Sequence, residues 1–340
     1  MKLIIQIPCY NEAETLSIAL AELPRKVRGF DKVEWLVIND GSTDDTVEAA
    51  RRGGVDHIVS FKRNLGLARA YIAGLRASLE LGADVIVNTD ADNQYSAADI
   101  PTLVAPIVAG KADIVVGARP IGAIKHFSLL KKVLQGLGSA VVRGVSGTSV
   151  EDAPSGFRAV SRDAAMRLHV FNDYTYTLET IIQAGRKNMV VVSVPVRVNK
   201  DIRPSRLIKS IPSYVKKSIL TMLRIFVVYR PFRFFIAIGG AVFAVGVILG
   251  LRFLALLVFG GGGGHVQSLI LASILLGIGF QTMLTAFLAD LLAVNRTLLE
   301  EIEYHTLKTA NQRARAAEAP LRRPRVMGTA RTRRKNRKSP

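Results

Sequence analysis

Cysteine is nearly absent. Cys9 is the only one in 340 residues, which excludes a disulfide framework, a zinc ribbon and a Cys-X-X-Cys redox pair. Histidine is sparse too, five in all and scattered, so the chain offers no His-based metal cluster. Acids are outnumbered, 27 against 46 Lys and Arg, for a net charge of +19. That excess is not spread evenly. Residues 186–233 carry 12 basic side chains against the single acid Asp201, and residues 305–340 carry another 12 against Glu318. These two stretches supply +22 between them, which leaves the rest of the chain at −3. A nucleic-acid reader usually carries its positive charge on the folded domain that meets the polymer. Here the first 185 residues are not basic, and no specific nucleic acid is expected as a partner. With 49% hydrophobic and 21% charged residues, the chain is neither disordered nor membrane-embedded throughout.

What the charge brackets is apolar. Phe234 to Leu251 is 18 residues without a charge, roughly 27 Å of helix and close to one hydrocarbon core. Val266 to Ala289 adds 24 more uncharged residues, and the glycines 260–264 with His265 form a short hairpin between them. The pattern predicts two transmembrane helices, about 234–258 and 266–289. Arg252, at the far end of the first, can snorkel toward headgroups. Basic flanks on both outer ends put the N-terminal domain and the tail on the cytoplasmic face of a plasma (inner) membrane. Met1-Lys2 leads straight into a strand-like run, so no signal peptide is expected. The stretch Ser213 to Tyr229 mixes Tyr214, Val215, Ile219, Leu223 and Phe226 with Lys216, Lys217 and Arg224, as an interfacial amphipathic helix does. Residues 296–340 read as a basic, disordered tail attracted to anionic lipid, with RNA or a partner protein as the alternative.

The first 200 residues alternate strand and helix. Leu3–Ile7, Glu34–Ile38, His57–Ser60, Val85–Asn88 and Ile114–Val116 are short Val/Ile-rich runs, separated by helical-period stretches at 12–23, 43–51, 67–81 and 98–108. Such alternation predicts βαβ units and a mostly parallel sheet, with ligands at the carboxyl ends of the strands. The first strand ends in Pro8-Cys9-Tyr10-Asn11-Glu12, not in the glycines a dinucleotide fold needs. Tyr10 offers a ring for a base to stack on, and Glu12 a carboxylate for its N–H groups or a ribose. The second ends in Asn39-Asp40-Gly41-Ser42-Thr43-Asp44-Asp45. A turn with an N-cap explains that run equally well, although Asp40 also suits a uracil or guanine edge. The fourth ends in Asp90-Ala91-Asp92-Asn93-Gln94. In extended chain, residues two apart share a face, so Asp90 and Asp92 could converge on one hard cation, with Gln94 as a neutral ligand. Two carboxylates suit Mg²⁺ or Mn²⁺ completed by diphosphate oxygens and water.

Pro-x-Tyr-Asn-Glu, Asn-Asp-Gly-Ser-x-Asp and Asp-x-Asp-x-Gln in that order resemble a family-2 glycosyltransferase of the GT-A fold. Val116-Gly117-Ala118-Arg119, Asp152-Ala153-Pro154-Ser155-Gly156-Phe157-Arg158 and the two apolar C-terminal segments narrow the resemblance to polyprenyl-phosphate (dolichol-phosphate) hexosyltransferases. The resemblance implies an α/β fold with a Rossmann-like mixed sheet, interfacial helices and two membrane helices. It implies that Pro8, Tyr10, Asn11, Glu12, Asp40 and Asp90 hold a nucleotide sugar. Asp90, Asp92 and Gln94 then hold the metal, and Arg119 meets the phosphate of a polyprenyl acceptor. Where relatives carry an Arg and a Ser four apart, this chain has Lys131 and Gln135. Where they read Gly-x-Ser-Lys, it has Arg203-Pro204-Ser205-Arg206, and an arginine fork can replace an ammonium at a phosphate. Lys131, Arg203, Ser205 and Arg206 are therefore the further acceptor-side candidates. Arg158 is equally placed to pair with Asp152, and Glu179 lies on an expected helix as an acceptor-side or merely paired acid.

The division expected is a GT-A catalytic domain at 1–200, a basic interfacial region at 201–231, two membrane helices within 232–295 and the tail. A lipid phosphate is mostly ionised at pH 7, its second pKa being about 6; such a nucleophile needs positioning cations more than a base. Membrane lipids and the two substrates are the expected partners, with a second copy of the chain left open. A processive polysaccharide synthase is disfavoured because the only tryptophan, Trp35, lies in a strand rather than in Gln-x-x-Arg-Trp. A non-catalytic scaffold binding lipid or RNA through its tail is the alternative of another class.

Overall fold

The computed structural model describes residues 1–120, 139–140, 142–170, 176–199, 220, 224, 227–260 and 266–318. Its apolar runs pair into one sheet of seven strands: β1 (Lys2–Cys9), β2 (Lys32–Asn39), β3 (His57–Ser60), β4 (Val85–Asn88), β5 (Ile114–Ala118), β6 (Arg158–Ser161) and β7 (Val191–Pro195). They lie in the order β3-β2-β1-β4-β6-β5-β7. The first four are mutually parallel, and β7 is parallel to β5. β6 runs antiparallel between β4 and β5. Side chains alternate across the sheet: Leu3, Ile5, Ile7, Trp35 and Val37 join one core, while Ile4, Leu36 and Ile38 join the other. Strands buried on both faces have no polar side to show, so they read as continuous apolar runs.

The connecting helices α1 (Ala13–Glu22), α2 (Thr46–Arg52), α3 (Leu67–Glu80) and α4 (Ile100–Val108) fall where the periodicity predicts. α2 starts three residues late because the Asp44 carboxylate accepts the N–H groups of Thr46 and Ala13, each at 3.1 Å, and keeps 40–45 as a loop. β6 was not legible as a strand. It opens on Arg158, a charged residue that the fold buries completely. Two short helices, α5 (Arg162–Arg167) and α6 (Thr177–Arg186), follow it.

The two C-terminal helices are α7 (Pro231–Val258) and α8 (Val266–Glu318), with mean hydropathy of 2.6 and 1.9 over their most apolar windows. Both are long and apolar enough to cross a membrane, and little of either window is buried against protein. They pack against each other through small residues. A Cβ on Gly239, Gly246 or Gly279 would sit within 3 Å of Met283, Leu276 or Phe243 respectively, the close approach that small residues permit between membrane helices.

One expectation is overturned here. Residues 296–318 are not a disordered tail; they continue α8, whose 53 residues form a helix about 80 Å long. Beyond its apolar part α8 docks on the catalytic domain. The Tyr304 hydroxyl donates to Asp163 at 2.8 Å and accepts from Arg167 at 3.0 Å. Glu303 pairs with Arg76 at 2.9 Å, and Glu300 pairs with Lys187 at 2.9 Å and Arg296 at 2.8 Å. Arg296 also donates to the Tyr229 hydroxyl, which in turn donates to Glu179. Glu179 thus anchors this junction from inside the domain. A polar rim around buried Tyr304 and Glu300 does what propensity alone does not, since helices gain most of their stability from packing.

Candidate active site at the carboxyl edge of the sheet

The loops after β1, β2 and β4 meet at one edge, since these strands are neighbours and parallel. Pro8 lies next to the end of β1, buried and in register with Ile38 of β2, two residues beyond the last β1 position paired with β4. Asn11 sits at φ +54°, and its side-chain oxygen accepts the N–H of Thr43 at 2.8 Å. The backbone N–H groups of Asn11 and Glu12 donate to the hydroxyls of Ser42 and Thr46. The run 39–46 is therefore neither a bare turn nor a helix cap. Its hydroxyls lace the first loop to the second, leaving the Tyr10 ring 44% exposed at the surface of the cleft. Glu12 is steadied by the Thr15 hydroxyl at 2.6 Å.

Asp40 is 3% exposed, and its two oxygens accept the N–H groups of Leu65 and Gly66 at 2.7 and 2.9 Å. Burial pushes its carboxyl up, and the two donors pull it back. A third loop, Lys62–Gly66, thereby joins the site, which sequence reading missed. Gly41 at φ +69° is required there: a Cβ would lie 2.3 Å from the backbone of Arg63.

Asp90 follows β4. It is not extended toward Asp92, as the spacing suggested; Ala91 and Asp92 form a turn, and that turn turns both carboxylates into one neighbourhood. Burial, then the charge of Asp92, pushes the Asp90 carboxyl up to about 7, against the pull of Arg119 and Arg158. Among the described residues no N–H or O–H group donates to it. A Cβ on Gly156 would approach Asp90 Oδ2 to 3.0 Å, so glycine alone leaves this carboxylate its room. Asp92 Oδ1 accepts the N–H of Gln94 at 3.2 Å. Among the described residues no three His, Cys, Asp or Glu side chains come together. A half-buried carboxylate without donors, a second acid beside it and a neutral amide next in line form a hard oxygen donor set. It fits a Mg²⁺- or Mn²⁺-type ion that takes its remaining ligands from elsewhere.

Behind Asp90 the floor is polar and well ordered. Asn88 donates to Gly156 O and to the Tyr176 hydroxyl, both at 2.9 Å, and accepts from Gln6 at 2.9 Å. Tyr176 stacks on Tyr71 at 3.8 Å. Arg119 forms a bidentate pair with Asp152, Nε–Oδ2 2.7 Å and Nη2–Oδ1 3.0 Å, with side chains 8% and 1% exposed. The expectation that Arg158 pairs with Asp152 is thereby corrected. Arg158 donates instead to the carbonyls of Ser155 and Ala153 and to the Thr180 hydroxyl. Of Arg119, only Nη1 has no partner among the described residues. Lys131, Gln135, Arg203, Ser205 and Arg206 lie outside the described residues, as does most of the expected amphipathic stretch 213–229.

These loops coincide with what known proteins share with the chain. Residues 4–168 match the pattern described as Glycosyl transferase family 2. The undecaprenyl-phosphate mannosyltransferase of Micrococcus luteus is 30% identical over 218 residues, covering 61% of this chain and 88% of that protein. The chain belongs to glycosyltransferase family 2. It is an enzyme of that family, with the mixed sheet of the GT-A fold. Another glycosyltransferase, the UDP-N-acetylglucosamine–dolichyl-phosphate N-acetylglucosaminyltransferase of Methanococcus voltae, is 29% identical over 216 residues, 56% of this chain and 83% of that protein. Among solved structures, glucosyl-3-phosphoglycerate synthase of Mycobacterium tuberculosis, in complex with Mn²⁺, UDP and product, superposes with a TM-score of 0.50. It is 20% identical and covers 66% of this chain and 78% of that one; the likeness is one of fold.

Proposed function

We propose that this glycosyltransferase moves one hexose or related sugar from a nucleotide-diphospho-sugar to a polyprenyl phosphate at the cytoplasmic face of a membrane. The observation that carries the reading is the half-buried Asp90, without a donor among the described residues, beside Asp92 and on the same sheet edge as Tyr10 and Asp40. A Mg²⁺ or Mn²⁺ ion held by Asp90, Asp92 and Gln94 would neutralise the leaving diphosphate as a Lewis acid. Tyr10 stacks on the base, Asp40 and Glu12 accept its N–H groups or the ribose, and the Asn11–Thr43 lacing keeps that cleft open. Arg119 turns Nη1 toward the acceptor phosphate while Asp152 holds its other nitrogens. Lys131, Arg203, Ser205 and Arg206 add charge on the acceptor side. A single displacement inverts the anomeric carbon. The relatives named above act on different sugars, mannosyl in one and N-acetylglucosaminyl in the other, so the donor is left to experiment. α7 and α8 anchor the domain beside its lipid substrate.

The test is transfer in vesicles holding the full chain and polyprenyl phosphate, against a panel of UDP- and GDP-sugars with Mn²⁺. One donor should label the lipid, and Asp92→Asn should lower the rate at least about 100-fold, the several kcal/mol a metal supplies, with an unchanged fold. Labelling by no donor, or full activity in excess EDTA, would overturn the reading.

A further inference from the structure

The loop that carries Asp92 and Gln94 is gripped from outside by residues that no motif singled out. Asn93, at φ +54° and 7% exposed, donates its amide to Glu22 Oε1 of α1 at 3.0 Å. Asn199, four residues past β7, closes over the same loop. Its amide nitrogen donates to Asn93 O at 3.1 Å and to Glu22 Oε2 at 3.3 Å, and reaches Tyr95 O at 3.5 Å. Its backbone N–H donates to Gln94 O at 2.9 Å. One residue thus binds three successive loop carbonyls, 93 to 95. The strap around it is continuous: Tyr95 bridges Val198, Ser96 N–H donates to Arg197 O at 3.2 Å, and Arg197 pairs with Asp99 at 2.6 Å. On the inner side, the Tyr95 hydroxyl accepts the N–H of Gly156, the glycine that faces Asp90.

We propose that Asn199, with Glu22, is a positioning clamp that holds the Asp92–Gln94 turn in its cation-binding shape. The physical reason lies in the turn itself. Asparagine tolerates the left-handed region but does not demand it, and a loop whose carbonyls point outward has no partners of its own to fix this geometry. Amide donors supplied from a segment 105 residues away in sequence select it. Asn199 touches neither substrate nor cation; it acts through the backbone that carries the ligands, as outer partners of metal ligands do. The inference rests on the reading of Asp90, Asp92 and Gln94 as the cation site.

The experiment measures Mn²⁺ binding to the full chain in detergent, with UDP and separately GDP as probes, by the loss of the free Mn²⁺ electron-spin signal. Thermal unfolding is recorded on the same samples. Asn199→Ala should weaken Mn²⁺ binding about 10-fold or more, with the unfolding midpoint nearly unchanged. Asn199→Asp, which sets a carboxylate against the carbonyls of Asn93 and Tyr95 and against Glu22, should be worse, and Glu22→Gln in the same chain should restore part of the loss. Glu22→Ala, at an exposed position, serves if the Asn199 variants do not fold, and should weaken binding in the same direction. Wild-type binding with equal affinity in Asn199→Ala and Glu22→Ala would overturn the clamp and leave the cation site standing. Absence of binding by the wild-type chain with either probe would overturn both.

Discussion

At the scale of single residues, the pairing of Arg119 changes what its removal means. The sequence offers it as a free cation for a phosphate, whereas the fold gives it to Asp152 on two hydrogen bonds in a nearly dry site. Deleting one partner of a buried pair strands the other, typically at a cost of about 3–5 kcal/mol. Arg119→Ala is therefore expected to lower unfolding stability by that order as well as transfer. A double variant, Arg119→Met with Asp152→Leu, should regain stability without regaining transfer. Thermal unfolding and initial rates at subsaturating lipid check both halves; a double variant with normal transfer would remove Arg119 from the acceptor side. A second residue far from the site governs acid stability. Burial alone would push Glu34 up, but Lys2, Lys32 and His57 outweigh it and hold its carboxyl at about 2 instead of 4.5. A depressed carboxyl stabilises the fold above pH 4.5, and that contribution fades as pH falls from 4.5 toward 2. Lys32 is mostly exposed and screened, so the contribution is roughly 1–3 kcal/mol. Glu34→Gln should be less stable at pH 7 and show a shallower loss between pH 4.5 and 2 in denaturant titrations.

At the scale of elements, α8 is the piece that composition misreads. Its distal half is charged enough to resemble a solvated tail, yet Tyr304 is 4% exposed and Glu300 8%. Charged residues so buried must be paired, and Glu300 finds its partners in Lys187, just past α6, and in Arg296 of α8 itself. Ending the chain after Glu318 should leave stability unaltered and transfer within about 2-fold, because basic residues near anionic lipid contribute only about 1 kcal/mol each and α7 and α8, as proposed, already anchor the chain. Tyr304→Ala should cost about 2–4 kcal/mol, as removal of a buried aromatic does, and ending the chain after Asn295 should cost more. Unfolding midpoints in detergent decide it. Equal midpoints for the two truncations would mean that the docked half of α8 adds nothing.

At the scale of the whole molecule, charge and packing give one orientation. The catalytic domain grips α8 just beyond its apolar part and grips the entry to α7 through Tyr229 and Arg230, so both apolar helices leave the domain on one side. With basic residues flanking that side and none but Arg252 on the other, the proposed membrane anchoring predicts, by the positive-inside rule, that Met1 and Pro340 share the cytoplasmic face. Reporters fused at each end should read the same compartment; a reporter after Pro340 that reads the opposite face would refute this.

Much of this arrangement was legible in the chain. Strand and helix alternate with their own periods, Asp90, Asp92 and Asp40 stand at strand ends, and two apolar runs have the length of a bilayer; all are properties of neighbouring residues. Tertiary structure alone decided which distant groups meet. Inserting β6 antiparallel beside β4 brings Gly156 against Asp90 and Asp152 to Arg119 while carrying Arg158 into the core. The strap after β7 delivers Asn199 to Asn93, in a loop formed 106 residues earlier. Such pairings follow from sheet order and crossover, which side-chain spacing along the chain does not encode. They are selected because each polar group removed from water must find a partner wherever the fold has put one.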